Sequence, residues 1–125
     1  MSQDKAAAPP VNLTPFDRRL LRARRDRAAA NFASYNFLLR EVALRMTERL
    51  CDINRTYPLA LDLGCHGGEF AQALSQQQGH GVERLVLADP SAAILIGAKT
   101  DHNTLAVVAD EEALPFAPQS LDLIV

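Results

Sequence analysis

The chain has 125 residues, 48% of them hydrophobic and 22% charged, and a net charge of −2 at pH 7. That suits one small α/β domain with enough apolar material for a core, and it excludes a disordered tract. No apolar run approaches the ~20 residues that cross a bilayer, so no transmembrane segment is expected. The opening MSQDKAAAPPVNL has neither a charged-then-apolar signal pattern nor an arginine–serine transit pattern, which points to an intracellular protein. Cys51 and Cys65 lack CxxC spacing and read as free thiols.

The small net charge hides a split. Residues 1–57 hold eleven basic and six acidic side chains, a balance of +5, whereas residues 58–125 hold two and nine, a balance of −7. Residues 1–13 read as a flexible arm and 14–57 as a helical segment. In the latter, Thr14 is a candidate N-cap with Pro15 behind it, and six arginines fall between Arg18 and Arg27. A second helix is expected over 34–54, capped by Ser34, with Tyr35, Leu39, Val42, Met46, Leu50 and Ile53 as one apolar stripe.

From Pro58 the pattern becomes strand, turn, helix. LALDLG, RLVLAD, TLAVVAD and LDLIV read as four strands, with GEFAQALSQQQ and PSAAILIGAKT as the intervening helices and EEALPFAPQ as a loop. The alternation predicts an α/β fold: a Rossmann-like parallel sheet with helices on both faces, preceded by two helices. The chain finishes on an apolar strand at Val125, so residues 58–125 are expected to be the first part of a longer domain.

Ligands of open parallel sheets collect beyond the carboxyl ends of the strands. Asp62, Asp89 and Asp110 lie at or near three such ends, and Gly64, Gly67 and Gly68 follow the first strand. Gly64 allows a sharp turn, and the later glycines let the backbone approach a ligand at a helix start. Asp89 follows Gly64 by 25 residues, near the spacing at which an acid takes both ribose hydroxyls, and Asp110 is placed for an exocyclic amine such as adenine's. An acid two residues before Gly64 repels a pyrophosphate but suits an ammonium, which favours S-adenosylmethionine over a dinucleotide. The missing Gly-Lys-Ser/Thr excludes a P-loop.

Plainer readings stand beside these: a turn that only turns, Asp89 as a helix cap, and Asp110 with Glu111 and Glu112 as a solvated acidic loop. His66 stands where the tightest glycine is expected. Histidine tolerates the left-handed region better than most residues, and Gly67 could absorb part of the strain, so the loop is expected to survive with altered affinity. His80 and His102 lie in other loops without ligand spacing, and no metal site is expected.

LDLGCHGGEFAQAL, LADPS and VADEEALPFAPQSLDLIV resemble the first half of a class I S-adenosylmethionine-dependent methyltransferase. More narrowly, FDRRLLRARRDRAA, FLLREVALRMTERLCDI, YPLALDLGC and ADEEALPF resemble a mitochondrial complex I assembly factor and its bacterial relatives, over residues 16–125. The resemblance implies a seven-stranded sheet, four strands of which are present. It also implies S-adenosylmethionine held at Asp62, Gly64, Cys65, His66 and Gly68 for the methionine end, Asp89 for the ribose, Asp110 for adenine, and Pro90 and Glu111 beside the base. The implied reaction is methyl transfer to a small molecule or protein. Its alternatives are arginine hydroxylation or chaperoning of a respiratory complex I subunit, and methylation of a malonyl carrier protein, whose enzymes share the LPF loop.

Catalytic residues are not assigned. A sulfonium is already activated, so orientation supplies much of the rate, and hydroxylation would need an oxidant for which no 2-His-1-carboxylate set is visible. The location implied is the cytoplasm, or the matrix side for an organellar chain. For the arginine-rich helix, two readings stand level: binding an acidic partner, whether protein, membrane surface or nucleic acid, and facing the acidic half of its own domain. The assembly-factor resemblance implies a helix that covers the cofactor entrance or touches a partner subunit. Nucleic acid is the weakest partner, since no aromatic residue interleaves the arginines.

Overall fold

The structure, a computed structural model, describes residues 17–31, 36–98 and 103–125. The 1–13 arm, the Thr14–Pro15 cap, Ser34, Tyr35 and His102 lie outside these residues. Helix α1 runs Arg18–Ala28 and passes into a 3-10 turn at Ala29–Asn31. Its cap is Asp17, whose carboxylate accepts from the N–H groups of Arg19 at 3.0 Å and Leu20 at 3.1 Å. Helix α2 spans Phe37–Cys51, shorter at both ends than the periodicity suggests.

The buried line of α2 is also rotated from the expected stripe. Ala43 and Thr47 are buried, Leu39, Met46 and Leu50 are half-buried, and Val42 and Ile53 are exposed. Small side chains at 43 and 47 let α2 approach α3, Glu69–Ser75. The Thr47 hydroxyl donates to the Ala43 carbonyl at 2.9 Å, so its burial leaves no polar group unmet.

The strands are β1 (Ala60–Leu63), β2 (Leu85–Asp89), β3 (Thr104–Val108) and β4 (Leu123–Ile124), all parallel in the order β3-β2-β1-β4. Helix α4, Ala92–Gly97, lies between β2 and β3. The expected fourth strand shrinks to two residues, and Asp110 stands two residues beyond β3 in a bridge to Ala113. The parallel α/β fold is as read from the sequence, with one refinement to the helices on both faces. The two helical crossovers β1–α3–β2 and β2–α4–β3 step the same way along the sheet, so a common handedness puts α3 and α4 on one face.

The two cores show the same division. One joins Ala60, Leu85 and Leu87 to Ala43 of α2, Phe70 and Leu74 of α3, and Leu95 of α4. The opposite one joins Leu61, Val86 and Ala88 to Ala109, Phe116 and Leu121, drawn from strands and the 109–121 segment rather than from a helix. Strand alternation produces the division, since successive residues face opposite sides.

Gly81 ties the entry of β1 to that of β2. Its carbonyl accepts from the Tyr57 N–H at 2.7 Å. Its φ is +79°, and an added Cβ would stand 2.0 Å from the Arg55 carbonyl oxygen. Gly79 has φ +86° but open space around it. Gly79→Ala is therefore expected to cost only the left-handed penalty, ~1–2 kcal/mol. Gly81→Ala forces backbone against backbone and is expected to cost ~3 kcal/mol or more, lowering Tm by roughly 10–20 °C. Calorimetric melting of the two variants separates conformation from clash, and equal melting points would refute the close approach.

Candidate functional site

The site forms where β1 ends and strand order reverses toward β4. The chain leaves Leu63 into a loop pinned to β2: the N–H groups of Gly64 and Cys65 both donate to the Ala88 carbonyl, at 2.8 and 3.0 Å. Positive φ then falls on alternate residues, Gly64 at +73°, His66 at +51° and Gly68 at +80°. His66 thus adopts the glycine-like conformation itself. Gly67 is not among the positive-φ residues, so the expected relief at that position is not what accommodates it.

Asp89, the last residue of β2, is fully buried. Its Oδ1 accepts from the Ser91 N–H at 2.9 Å, and its Oδ2 accepts from the His66 N–H at 3.3 Å. One carboxylate therefore braces both the glycine loop and the entry of α4. Ser91 makes the cap proper, its Oγ accepting from the Ile94 N–H at 3.2 Å, so Asp89 supports the cap without being it. Pro90 is buried between them.

Asp62 and Glu69 add two more buried acids. Burial first, then the charges of Glu69 and Asp89, push the Asp62 carboxyl up to about 7. Glu69 accepts from Asn36 Nδ2 at 3.1 Å. Burial and the same acids raise the Cys65 thiol, keeping it protonated and a poor nucleophile. His66 is held below its ordinary value by burial and by Arg25, against the opposite pull of Asp89 and Glu69. Asp62, Gly64, Cys65, His66 and Glu69 line a cavity of about 130 Å³ with Leu39, Val42 and Met46 of α2. A cavity of similar volume lined by Leu74, His80, Val82 and Thr104 lies at the amino ends of β2 and β3, the end of the sheet where ligands are not expected.

The third acid sits farther out. Asp110 accepts from the Glu112 N–H at 2.9 Å, which with Arg18 holds its carboxyl below the usual range. Arg18 Nη2 lies 2.7 Å from both Asp110 Oδ1 and Glu111 Oε1. Arg25 Nη1 reaches Asp89 Oδ2 at 2.5 Å, and the Ser91 hydroxyl donates to Asp26. The arginine helix therefore turns Arg18 and Arg25 toward the acidic half of its own domain, which matches the sense of the +5/−7 split. Among the residues sequence reasoning missed, Arg18, Arg25 and Asp26 were signalled only by that split, and Glu69 only by its place after the glycines.

Among the described residues no group of three or more His, Cys, Asp or Glu side chains is placed to hold a metal ion, and no helix is long and apolar enough to cross a membrane.

A parallel sheet, a left-handed glycine loop after β1 and a buried acid ending β2 define a Rossmann-like domain. Residues 61–125 match the family described as "Methyltransferase domain", and the chain belongs to that family. It is 41% identical over 112 residues to the mitochondrial arginine-hydroxylase NDUFAF5 of Danio rerio, a match covering 87% of this chain and 34% of the relative. The chain thus spans about a third of that relative's length. Of solved structures, one from the complex of the Haloferax volcanii Trm112 methyltransferase activator with a methyltransferase matches with TM-score 0.62 and 21% identity, covering 80% of this chain and 45% of that one. The plantazolicin methyltransferase BpumL, in complex with SAH, matches with TM-score 0.54 and 18% identity, covering 86% and 47%. Both likenesses concern the fold.

Proposed function

We propose that this chain binds S-adenosylmethionine across the carboxyl ends of β1, β2 and β3. On this reading, residues 58–125 are the cofactor half of an enzyme that moves a methyl group to a small-molecule or protein acceptor. The observation that carries the reading is Asp89, a fully buried carboxylate at the end of β2 set against a left-handed loop at the end of β1. Asp89 would hold the ribose hydroxyls, Asp110, Glu111 and Pro90 would border the base, and Gly64, Cys65, His66 and Gly68 would bring backbone to the methionine end. Asp62, raised to about 7 by burial and then by the charges of Glu69 and Asp89, fits a ligand that brings an ammonium. The SAH complex of BpumL is in keeping with this ligand class.

The cofactor, when bound, supplies a methyl already activated on a sulfonium. The protein's part is to bind and orient it, so no general base is required of these residues. A second reading, arginine hydroxylation on a respiratory complex I subunit, is favoured by the 41% identity to a mitochondrial arginine-hydroxylase, and it would place the protein on the matrix side in an organellar chain.

Calorimetric titration with S-adenosylmethionine tests the shared premise, using wild type and His66→Gly. Wild type is expected to bind. His66→Gly is expected to bind about two- to tenfold tighter, the equivalent of about 0.5–1.4 kcal/mol for clearing one side chain from the loop. Absence of binding in both removes the cofactor reading. With binding established, release of S-adenosylhomocysteine marks methyl transfer, and an oxygen added to an arginine with the cofactor intact marks hydroxylation.

A further inference from the structure

Helix α1 makes its polar contacts with the groups that the cofactor reading assigns to ribose and base. Arg25 takes Asp89 Oδ2, and an added Cβ on Gly64 would lie 3.8 Å from Arg25 Nη2, so the guanidinium rests over the glycine turn. Arg18 takes Asp110 and Glu111 together. Asp26 accepts from the hydroxyl of Ser91, beside the same strand end. Asp89 cannot serve these contacts and two ribose hydroxyls at once. Its Oδ1 is committed to the Ser91 N–H, its Oδ2 to the His66 N–H and Arg25, and no part of it reaches solvent.

Two further features make this contact a reversible one. No residue of α1 is fully buried: Leu20 is 43% exposed and Leu21 half-buried, so no fully buried apolar side chain fixes the helix in place. The Arg18 pairs with Asp110 and Glu111 are part-exposed and screened by salt, while the Arg25–Asp89 pair is largely buried and opens when ribose hydroxyls take the arginine's place on the acid. The space left beside the glycine loop is about 130 Å³. Pockets that bury drug-sized ligands run roughly 300–1,000 Å³. At the adenosine end the Arg25 and Arg18 guanidiniums sit on the acids themselves.

We propose that α1 is a self-docked cap, an internal competitor of the cofactor that must leave Asp89, Asp110 and Glu111 before S-adenosylmethionine can enter. The inference rests on the cofactor reading of the site and adds its regulation. Cofactor affinity is then the intrinsic affinity multiplied by the fraction of molecules with α1 undocked. Any acidic surface that captures the arginines would raise it.

A disulfide staple tests this in the full protein. The side chains of Asp26 and Ser91 touch across the cap and core, which makes Asp26→Cys/Ser91→Cys, in a Cys51→Ser background, the pair to oxidise. Once mass spectrometry shows the bond, S-adenosylmethionine is titrated into the oxidised and reduced forms, and into wild type and Arg18→Ala/Arg25→Ala. The oxidised staple is expected to lose binding and recover it on reduction, and the double-alanine protein to bind roughly tenfold tighter than wild type. Equal binding by oxidised and reduced forms overturns the cap while leaving the cofactor reading intact. Weaker binding by the double-alanine protein also overturns it, since the arginines would then be cofactor ligands. Absence of binding in every form removes the cofactor reading and the cap together.

Discussion

Asp89→Ala is expected to weaken S-adenosylmethionine binding by roughly 100- to 1,000-fold. Two ribose hydroxyls donating to one carboxylate are hydrogen bonds to a charged acceptor, worth about 1.5–3 kcal/mol each, and the substitution removes both. The loss of Arg25's partner frees α1 and offsets at most about tenfold of this, so the direction survives the competition. The variant also leaves the His66 and Ser91 N–H groups without their acceptor, which lowers stability by about 1–3 kcal/mol and needs a control. A ligand lacking the 2′-hydroxyl supplies it. Wild type should discriminate against that ligand, and Asp89→Ala should not, because a cycle of the two changes isolates the direct contact from any loss of fold. Discrimination that persists in Asp89→Ala would mean the ribose sits elsewhere.

What the sequence made legible was local. LALDL and RLVLAD are short apolar runs that stop at a glycine and an acid, and both became buried parallel strands with Asp89 at the end of one. The glycine loop was legible for the same reason, since left-handed positions restrict residue type, and even the misfit His66 belongs to a type that tolerates them. The rotation of α2 was not legible: Val42 is more hydrophobic than Ala43, but close approach to α3 selects the smaller side chain, and that preference belongs to the neighbour. A helix over the cofactor entrance was among the readings, but the contacts that would hold it there were hidden for a related reason. Arg25 and Asp89 are 64 residues apart, and Arg18 and Asp110 are 92 apart, so their pairing depends on where the sheet puts two strand ends side by side. Composition recorded only the imbalance. The site residues were thus readable one at a time, whereas the contact that closes the site was a property of the tertiary structure.

Asp62→Asn is expected to stabilise the protein at pH 8 by on the order of 4 kcal/mol and to leave it nearly unchanged at pH 4. Burial beside Glu69 and Asp89 raises the Asp62 carboxyl from its ordinary value to about 7. The folded protein therefore keeps a proton that the unfolded chain has released. Between about pH 4 and about pH 7 the folded state binds more protons, so this contribution is fully present below pH 4 and is lost as pH rises to about 7. His66, held below its ordinary value, has the opposite sign, and its contribution is lost as pH falls. The difference between wild type and Asp62→Asn in urea unfolding, followed across pH 4–8, cancels the His66 part and isolates Asp62. The same proton reports on the ligand. An ammonium placed against Asp62 favours the carboxylate, so S-adenosylmethionine should expel the proton near pH 6 and bind more tightly as pH rises toward 7. Titrations in buffers of different ionisation enthalpy would count that proton, and Asp62→Asn should reduce the count to zero. A variant that still released it would assign the linkage to Glu69 or His66 and move the ammonium away from β1.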